Sequence, residues 1–366
     1  QNLEILHSEK VKNDLHITLS SKDIKNRILQ IIGINQLGGM VNPYHWASYN
    51  PKISVVDIQP DIEISNTERG LFFQVNLDQY VPTKVKIKLA NDNTFSSFNL
   101  NQIGPNTFLS EMLSHQIINN MKYVDVELSY ENLLRETRFK YEMQAVGPGI
   151  KSQIFSTDKN CYIETKPNTF FQTNTCWIEK TDVFIPVEEG FHMAPVYQLQ
   201  PYDLALKGKF HIGIKYSKDL VEHSNLGIYY FDAKLKKWIY TPTKNNRRKQ
   251  ILTAELEQMN AVTIIQDLDS PKIINTFPGN SGRYYVQDVN KIRVTVDDPI
   301  SGIESKESSF ELKLNDKKLF AAYQPLKKQI SYSLDQRLSK GQHRIDFKAV
   351  DRVGNESNEV IYFVVY

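Results

Sequence analysis

Apolar and polar residues alternate one by one along much of this chain. Val85-Lys86-Ile87-Lys88-Leu89, Val124-Asp125-Val126-Glu127-Leu128, Ile292-Arg293-Val294-Thr295-Val296 and Phe310-Glu311-Leu312-Lys313-Leu314 each set an apolar row against a polar one. That is the period of a half-buried antiparallel strand. The 19 tyrosines and 18 phenylalanines reinforce it, because rings and β-branched side chains pack well on a pleated surface. Helical spacing is concentrated between Ser20 and Ile32, where Ser20 and Asp23 fit a capping box and Ile24, Ile28, Leu29, Ile31 and Ile32 form a stripe. The same run also reads as a turn, Lys22 to Asn26, followed by a strand, Arg27 to Ile34, and the neighbouring strands favour that second reading. The pattern predicts an all-β protein of tandem antiparallel β-sandwich domains.

Proline and glycine divide the pattern into four blocks. Asn50-Pro51 and Gln59-Pro60 close an N-terminal β segment, residues 1–56, short enough to be part of a domain. Residues 57–146 carry strands near 62–66, 70–77, 84–90, 107–110, 122–130 and 136–145, the spacing of an Ig-like or fibronectin-III-like sandwich. Val146-Gly147-Pro148-Gly149 reads as a linker into a third β-domain, residues 147–266. Asp267-Leu268-Asp269-Ser270-Pro271 reads as a linker into a fourth, residues 267–366. A length of 366 residues suits this count, at roughly 100–200 residues per domain.

Composition narrows the class. With 40% apolar and 23% charged residues the chain has the makeup of a globular protein, and no 18-residue apolar run is present to span a membrane as a helix. Lys and Arg total 44 against 42 Asp and Glu, so no basic excess exists to neutralise a phosphate backbone, and nucleic acid is not an expected partner. The first residue is Gln1, which fits either a mature chain after signal removal or a fragment of a longer one. Cys161 and Cys176 flank a stretch that reads as a hairpin turning at Asn168-Thr169. Such a hairpin would set the two thiols opposite each other and close a disulfide, which implies an oxidising compartment. The alternative is two small buried hydrophobes.

The last block resembles the bacterial Ig-like domains of secreted and surface proteins. The resemblance rests on Asp269-Ser270-Pro271-Lys272-Ile273, Val296-Asp297-Asp298-Pro299-Ile300-Ser301-Gly302-Ile303, Lys340-Gly341-Gln342-His343 and Ala349-Val350-Asp351-Arg352-Val353-Gly354-Asn355-Glu356-Ser357. The third block is similar to ZU5-like β-domains through Tyr197-Gln198-Leu199-Gln200-Pro201-Tyr202, Gly227-Ile228-Tyr229-Tyr230-Phe231 and Lys237-Trp238-Ile239-Tyr240. It departs from them at Lys166-Pro167-Asn168 and Met259-Asn260. Together the blocks resemble the C-terminal modular region of secreted bacterial proteins, among them M23-type cell-wall metallopeptidases. The zinc centre of such an enzyme needs an H-x-x-x-D and an H-x-H pair. None of the eight histidines (His7, His16, His45, His115, His192, His211, His223, His343) makes an H-x-H, so the resemblance implies the accessory part of such a protein with its catalytic domain absent.

Other chemistry is equally poorly served. Gly279-Asn280-Ser281-Gly282 reads as a turn rather than a nucleophile elbow, and no phosphate-binding glycine loop occurs. Neighbouring acids such as Asp297-Asp298 or Glu188-Glu189 point to opposite faces of a strand and cannot flank one glycosidic bond. No catalytic residue and no cofactor are expected. The aromatic set Tyr229, Tyr230, Phe231, Trp238 and Tyr240 would bind a glycan if its rings formed an exposed row, and would otherwise be core. Tyr44, His45, Trp46 and Tyr49 form a second aromatic group, read as padding of a domain interface.

In an Ig-like sandwich the loops holding Asp297-Asp298-Pro299 and Asp351 to Asn355 lie at one end. Their carboxylates are expected to be satisfied by Asx-turn bonds, with Arg352 available as counter-charge, and no metal is expected. Calcium held by Asp297, Asp298, Asp351 and Asn355 is the alternative. The functional expectation is a non-catalytic, extracytoplasmic structural or interaction module, secreted or at the cell surface or in the periplasm. Its partner would be a protein or a cell-surface glycan. The alternative is a carbohydrate- or peptidoglycan-binding accessory region of a secreted cell-wall hydrolase.

Overall fold

The computed structural model describes residues 5–11, 14–19, 58–79, 84–130, 133–181, 186–187, 190–217 and 224–366. The segment from Ser20 to Ile34, the aromatic group at 44–49, and Glu188-Glu189 lie outside them. The chain divides into two compact units, residues 1–140 and 141–366.

The first unit opens with an antiparallel hairpin of β1 (Ile5–Val11) and β2 (Asp14–Leu19). A sandwich follows, made of β3 (Pro60–Asn66), β4 (Leu71–Leu77), β5 (Lys84–Ala90), β6 (Phe95–Asn99), β7 (Asn101–Gln102), β8 (Thr107–Leu109), a single turn α1 (His115–Ile118), β9 (Tyr123–Tyr130) and β10 (Leu133–Lys140). One sheet has the order β3-β4-β8-β7 and the other β10-β9-β5-β6. The alternation read from the sequence holds on β4, β5 and β9, whose Phe73, Val75, Ile87, Leu89, Val124 and Val126 are fully buried. On the opposite face of β9, Asp125 is also withdrawn from water. Its cross-strand neighbours are Arg138 and Lys88, and Arg138 grips it with two hydrogen bonds of 2.7 and 2.9 Å.

The second unit begins earlier than the sequence suggested. β11 (Gln144–Val146) pairs with β14 (Asn174–Thr181), so the expected boundary at 146 falls inside a sheet and Gly147 to Gly149 forms a turn tied to Pro167, not a linker. The remaining strands of this first sandwich are β12 (Gln153–Phe155), β13 (Cys161–Glu164), β15 (Phe191–His192), β16 (Val196–Gln200), β17 (Phe210–Lys215), β18 (Leu226–Asp232), β19 (Lys237–Thr241), β20 (Thr243–Asn246), β21 (Ile251–Leu256) and β22 (Ala261–Gln266). They build one sheet ordered β11-β14-β16-β22-β18-β19, with β15 on β22, and a second ordered β12-β13-β17-β21-β20.

The cysteine hairpin is not formed. Lys166 to Thr169 does turn, with the Thr169 amide donating to the Lys166 carbonyl at 3.0 Å, but the chain then crosses to the other sheet. β13 pairs with β12 and β17, and β14 with β11 and β16, so Cys161 and Cys176 never face each other across a ladder. Both are free thiols in the core between the sheets, and burial pushes both up from the ordinary thiol range. They act as small hydrophobes, which corrects the expected disulfide.

The second sandwich of this unit consists of β23 (Lys272–Phe277), β24 (Gly282–Tyr284), β25 (Lys291–Asp297), β26 (Phe310–Leu314), β27 (Lys317–Leu319), β28 (Ala322–Gln324), β29 (Gln329–Ser333), β30 (Gly341–Val350) and β31 (Glu356–Val365). One sheet runs β23-β25-β29-β28 and the other β24-β31-β30-β26-β27. These are the A-B-E-D and G-F-C arrangements of an immunoglobulin sandwich, with β24 laid parallel along the edge of β31. The core lies between them, around Val294, Val296, Leu312, Ile345, Phe347, Ile361 and Phe363.

Candidate functional site: the acidic joint between two sandwiches

All six residues of β22 are buried, which a strand with one solvated face would not show. Val262 and Ile264 face the core of their own sandwich. Ala261 and Ile265 face a second apolar cluster with Val196, Tyr229 and Trp238, and Ile300 of the following Ig-like sandwich packs on it. Gly190 marks how close these elements come. At φ 123° it occupies a conformation that disfavours side chains, and a Cβ there would lie 2.9 Å from the Gln266 carbonyl oxygen.

Asp267 follows β22 directly and is fully buried. Its amide donates to the Asn225 carbonyl at 3.0 Å, and its carboxylate accepts from the amides of Asp269 at 3.1 Å and Ser301 at 3.3 Å. Asp298, the residue after β25, accepts from the amides of Ile300 and Gly302 at 3.0 and 3.1 Å and from the Ser301 hydroxyl at 3.2 Å. Asp351, after β30, takes three amides on one oxygen, from Val353, Gly354 and Asn355, at 2.9, 2.6 and 2.8 Å. These are the Asx-turn bonds expected of aspartates in tight loops. Asn355 adds a cross-link, donating to the Asp351 carboxylate at 2.7 Å and to the Asp267 carbonyl at 2.8 Å, while Asn225 donates to its side-chain oxygen at 2.6 Å.

The turn bonds leave the charge in place. One oxygen each from Asp267, Asp298 and Asp351 falls within 4.8 Å of the others. No Lys, Arg or His among the described residues forms an ion pair with any of the three. Burial, then repulsion from Asp267 and Asp351, pushes Asp298 up to about 6 against the pull of its amide donors. Burial likewise raises Asp267, with Asp351 adding to the effect. The hydroxyl of Tyr229, a fully buried residue on β18, has no hydrogen-bond partner and lies in the field of all three carboxylates.

Several sequence expectations change here. The two acidic loops do meet, but Asp297 is not among the converging acids: it points to the other face of β25 and pairs with Lys328. Arg352 is not their counter-charge, because its guanidinium lies over the Tyr240 ring, 5.9 Å from the centroid. Asn355 turns its side-chain oxygen to Asn225 and its side-chain amide to Asp351 and Asp267. Asp267 was missed, its segment resembling a plain linker. The signal available was its place directly after the unbroken run Ala261-Val262-Thr263-Ile264-Ile265, which marks a strand covered on both faces.

The aromatic hairpin does not form an exposed row. Tyr229 and Trp238 are buried, Tyr230 packs on the sandwich core, and Phe231 and Tyr240 pack beside Trp238 and Tyr229 with edge-on ring contacts. Rings on adjacent β18 positions face opposite sides of the sheet, so they cannot lie coplanar against one sugar.

No family model and no curated protein matches the chain. Among solved structures it is similar to three immunoglobulin domains of titin in an E-to-A mutated variant, at 7% identity, covering 84% of this chain and 98% of that one, with a TM-score of 0.17. It is similar to part of a 1.5-MDa bacterial ice-binding adhesin at 7% identity, covering 84% and 98%, with a TM-score of 0.16. It is also similar to immunoglobulin domains 1–5 of Sidekick-1 at 8% identity, covering 84% and 60%, with a TM-score of 0.16. Scores this low carry no argument, and the Ig-like assignment of the last sandwich rests on its own strand order.

Proposed function

We propose that this chain is a non-catalytic structural and interaction module of a secreted or surface bacterial protein, in which residues 141–366 act as one stiff spacer. The observation that carries this reading is the joint. Two sandwiches with separate cores share an apolar cluster closed by Ile300 and a hydrogen-bonded seam through Asn225, Asp267, Ser301 and Asn355. Independently moving domains need few contacts across their boundary, whereas this boundary buries polar groups that only the partner sandwich satisfies.

The extracytoplasmic and bacterial placement, the ZU5-like reading of the third block and the accessory relation to M23-type peptidases rest on sequence resemblance alone. The glycan-binding alternative has lost the exposed aromatic row that motivated it. The spacer reading is tested by hydrogen exchange and small-angle scattering on the whole chain. Slow exchange at the Asp267, Ser301 and Asn355 amides, matching that of the flanking cores, supports it. Fast exchange at these amides, with scattering that requires a hinge near 267–271, contradicts it. Protease treatment of intact cells of the source bacterium tests placement, since a surface module is cleaved and a cytoplasmic one is protected.

A further inference from the structure

We propose that Asp267, Asp298 and Asp351 form a calcium site that locks the joint between the two sandwiches. The argument starts from the distances. Oxygens bound to one calcium ion at 2.3–2.6 Å lie at most about 5 Å apart. One oxygen from each of the three aspartates falls within 4.8 Å of the other two, so all three can reach a common centre without movement of the backbone.

The surroundings make the cluster costly without an ion. Asp267 and Asp351 are buried, at 0% and 6% exposure, and like charges withdrawn from water repel strongly. The described residues supply no counter-charge, since Arg352 is engaged with Tyr240 and Lys328 with Asp297. Of about four lone-pair sites on each carboxylate, the loops take two on Asp267 and three on Asp298, while the second oxygen of Asp351 carries one bond, from Asn355.

An independent observation points the same way. The Tyr229 hydroxyl is fully buried and unpartnered while in the field of all three acids. A buried hydroxyl normally finds a partner, and leaving one unmet costs about 1–3 kcal/mol. Water bound to an ion among the carboxylates is a source of that missing partner.

The donor chemistry selects the ion. All the donors are oxygens, with no His or Cys as zinc prefers. The carboxylates are held by loops rather than in an octahedral cage, which suits calcium better than magnesium. Because Asp267 belongs to one sandwich and Asp298 and Asp351 to the other, the ion would bridge them. Only this mechanical consequence rests on the spacer reading; binding is independent of it.

The test is calorimetric titration of calcium chloride into the full chain, stripped with chelator, at neutral pH, with magnesium chloride as comparison. One site per chain is expected, with magnesium at least tenfold weaker. Asp298→Asn and Asp351→Asn should each weaken calcium at least tenfold, and Asp297→Asn, one residue away, should leave it unchanged. Should either cluster variant fail to fold, hydrogen exchange on the unaltered chain replaces it: calcium should slow the amides of 300–302 and 353–355 selectively. Absence of calcium heat in the unaltered chain overturns the proposal, as does equal affinity in Asp298→Asn or protection that falls elsewhere. Calcium binding with scattering that still requires a hinge refutes the spacer reading and leaves the site standing.

Discussion

Asp125 in the first sandwich and Asp298 at the joint are both carboxylates drawn out of bulk water, yet their proton affinities move in opposite directions. Asp125 lies under Arg138, and that hydrogen-bonded pair holds it below its ordinary value despite the cost of burial. Asp298 has only amide and hydroxyl donors, with two more acids beside it, and is pushed up to about 6. A cross-strand register places an opposite charge beside the first acid, whereas loop convergence places like charges beside the second. The first arrangement is complete within the chain. The second calls for a proton or a cation from outside.

The largest effect is expected where the internal partner is removed. Asp125→Asn should destabilise the first unit by about 1.5–3 kcal/mol, the range for hydrogen bonds to charged groups, measured by urea unfolding at pH 7. Asp351→Ala should cost about 1–3 kcal/mol, because the amides of Val353, Gly354 and Asn355 lose their shared acceptor. In chelator, Asp298→Asn should have the opposite sign, stabilising the joint by about 1 kcal/mol at pH 7, since it removes a charge while keeping an acceptor for the loop amides. Tyr229→Phe should also stabilise residues 141–366 in chelator, by about 1 kcal/mol, because it removes a buried hydroxyl that has no partner.

Acid sharpens the same contrast. Because Asp125 is held below its unfolded value, its stabilisation is in full above pH 3.8 and fades as the pH falls below it. Asp298 binds its proton more tightly when folded, so in chelator the joint should gain stability as the pH drops from about 7 to 5. Thermal unfolding followed by probes in each unit should therefore show residues 141–366 gaining stability from pH 7 to 5 while the first unit stays level, and the first unit losing it below pH 3.8. An equal response of the two units between pH 7 and 5 would break the comparison.

The strands were largely legible because a half-buried sheet writes its alternation into the chain, as Val85 to Leu89 and Ile292 to Val296 do. The strand Phe95–Asn99 escaped because no residue in it is fully buried, so packing imposes no apolar row on it. The cysteine pairing failed for a different reason. A turn at Lys166 to Thr169 does not specify whether the chain returns along the same sheet or crosses to the facing one, and Phe170, bridged to Leu206, belongs to a crossing. The acidic loops were foreseeable as neighbours from Ig topology, but Asp267 belongs to another sandwich, and no local pattern reports a contact between domains.

The central claim is that the joint lacks an internal counter-charge and takes calcium instead. It is tested most directly by the melting temperature of the full chain in calcium and in chelator, at pH 7, for the unaltered protein and Asp298→Asn. An ion present at 100 times its dissociation constant adds about 2.7 kcal/mol to the folded state. The account predicts a higher melting temperature for residues 141–366 in calcium, with no such rise in Asp298→Asn. Identical melting in calcium and in chelator would contradict it.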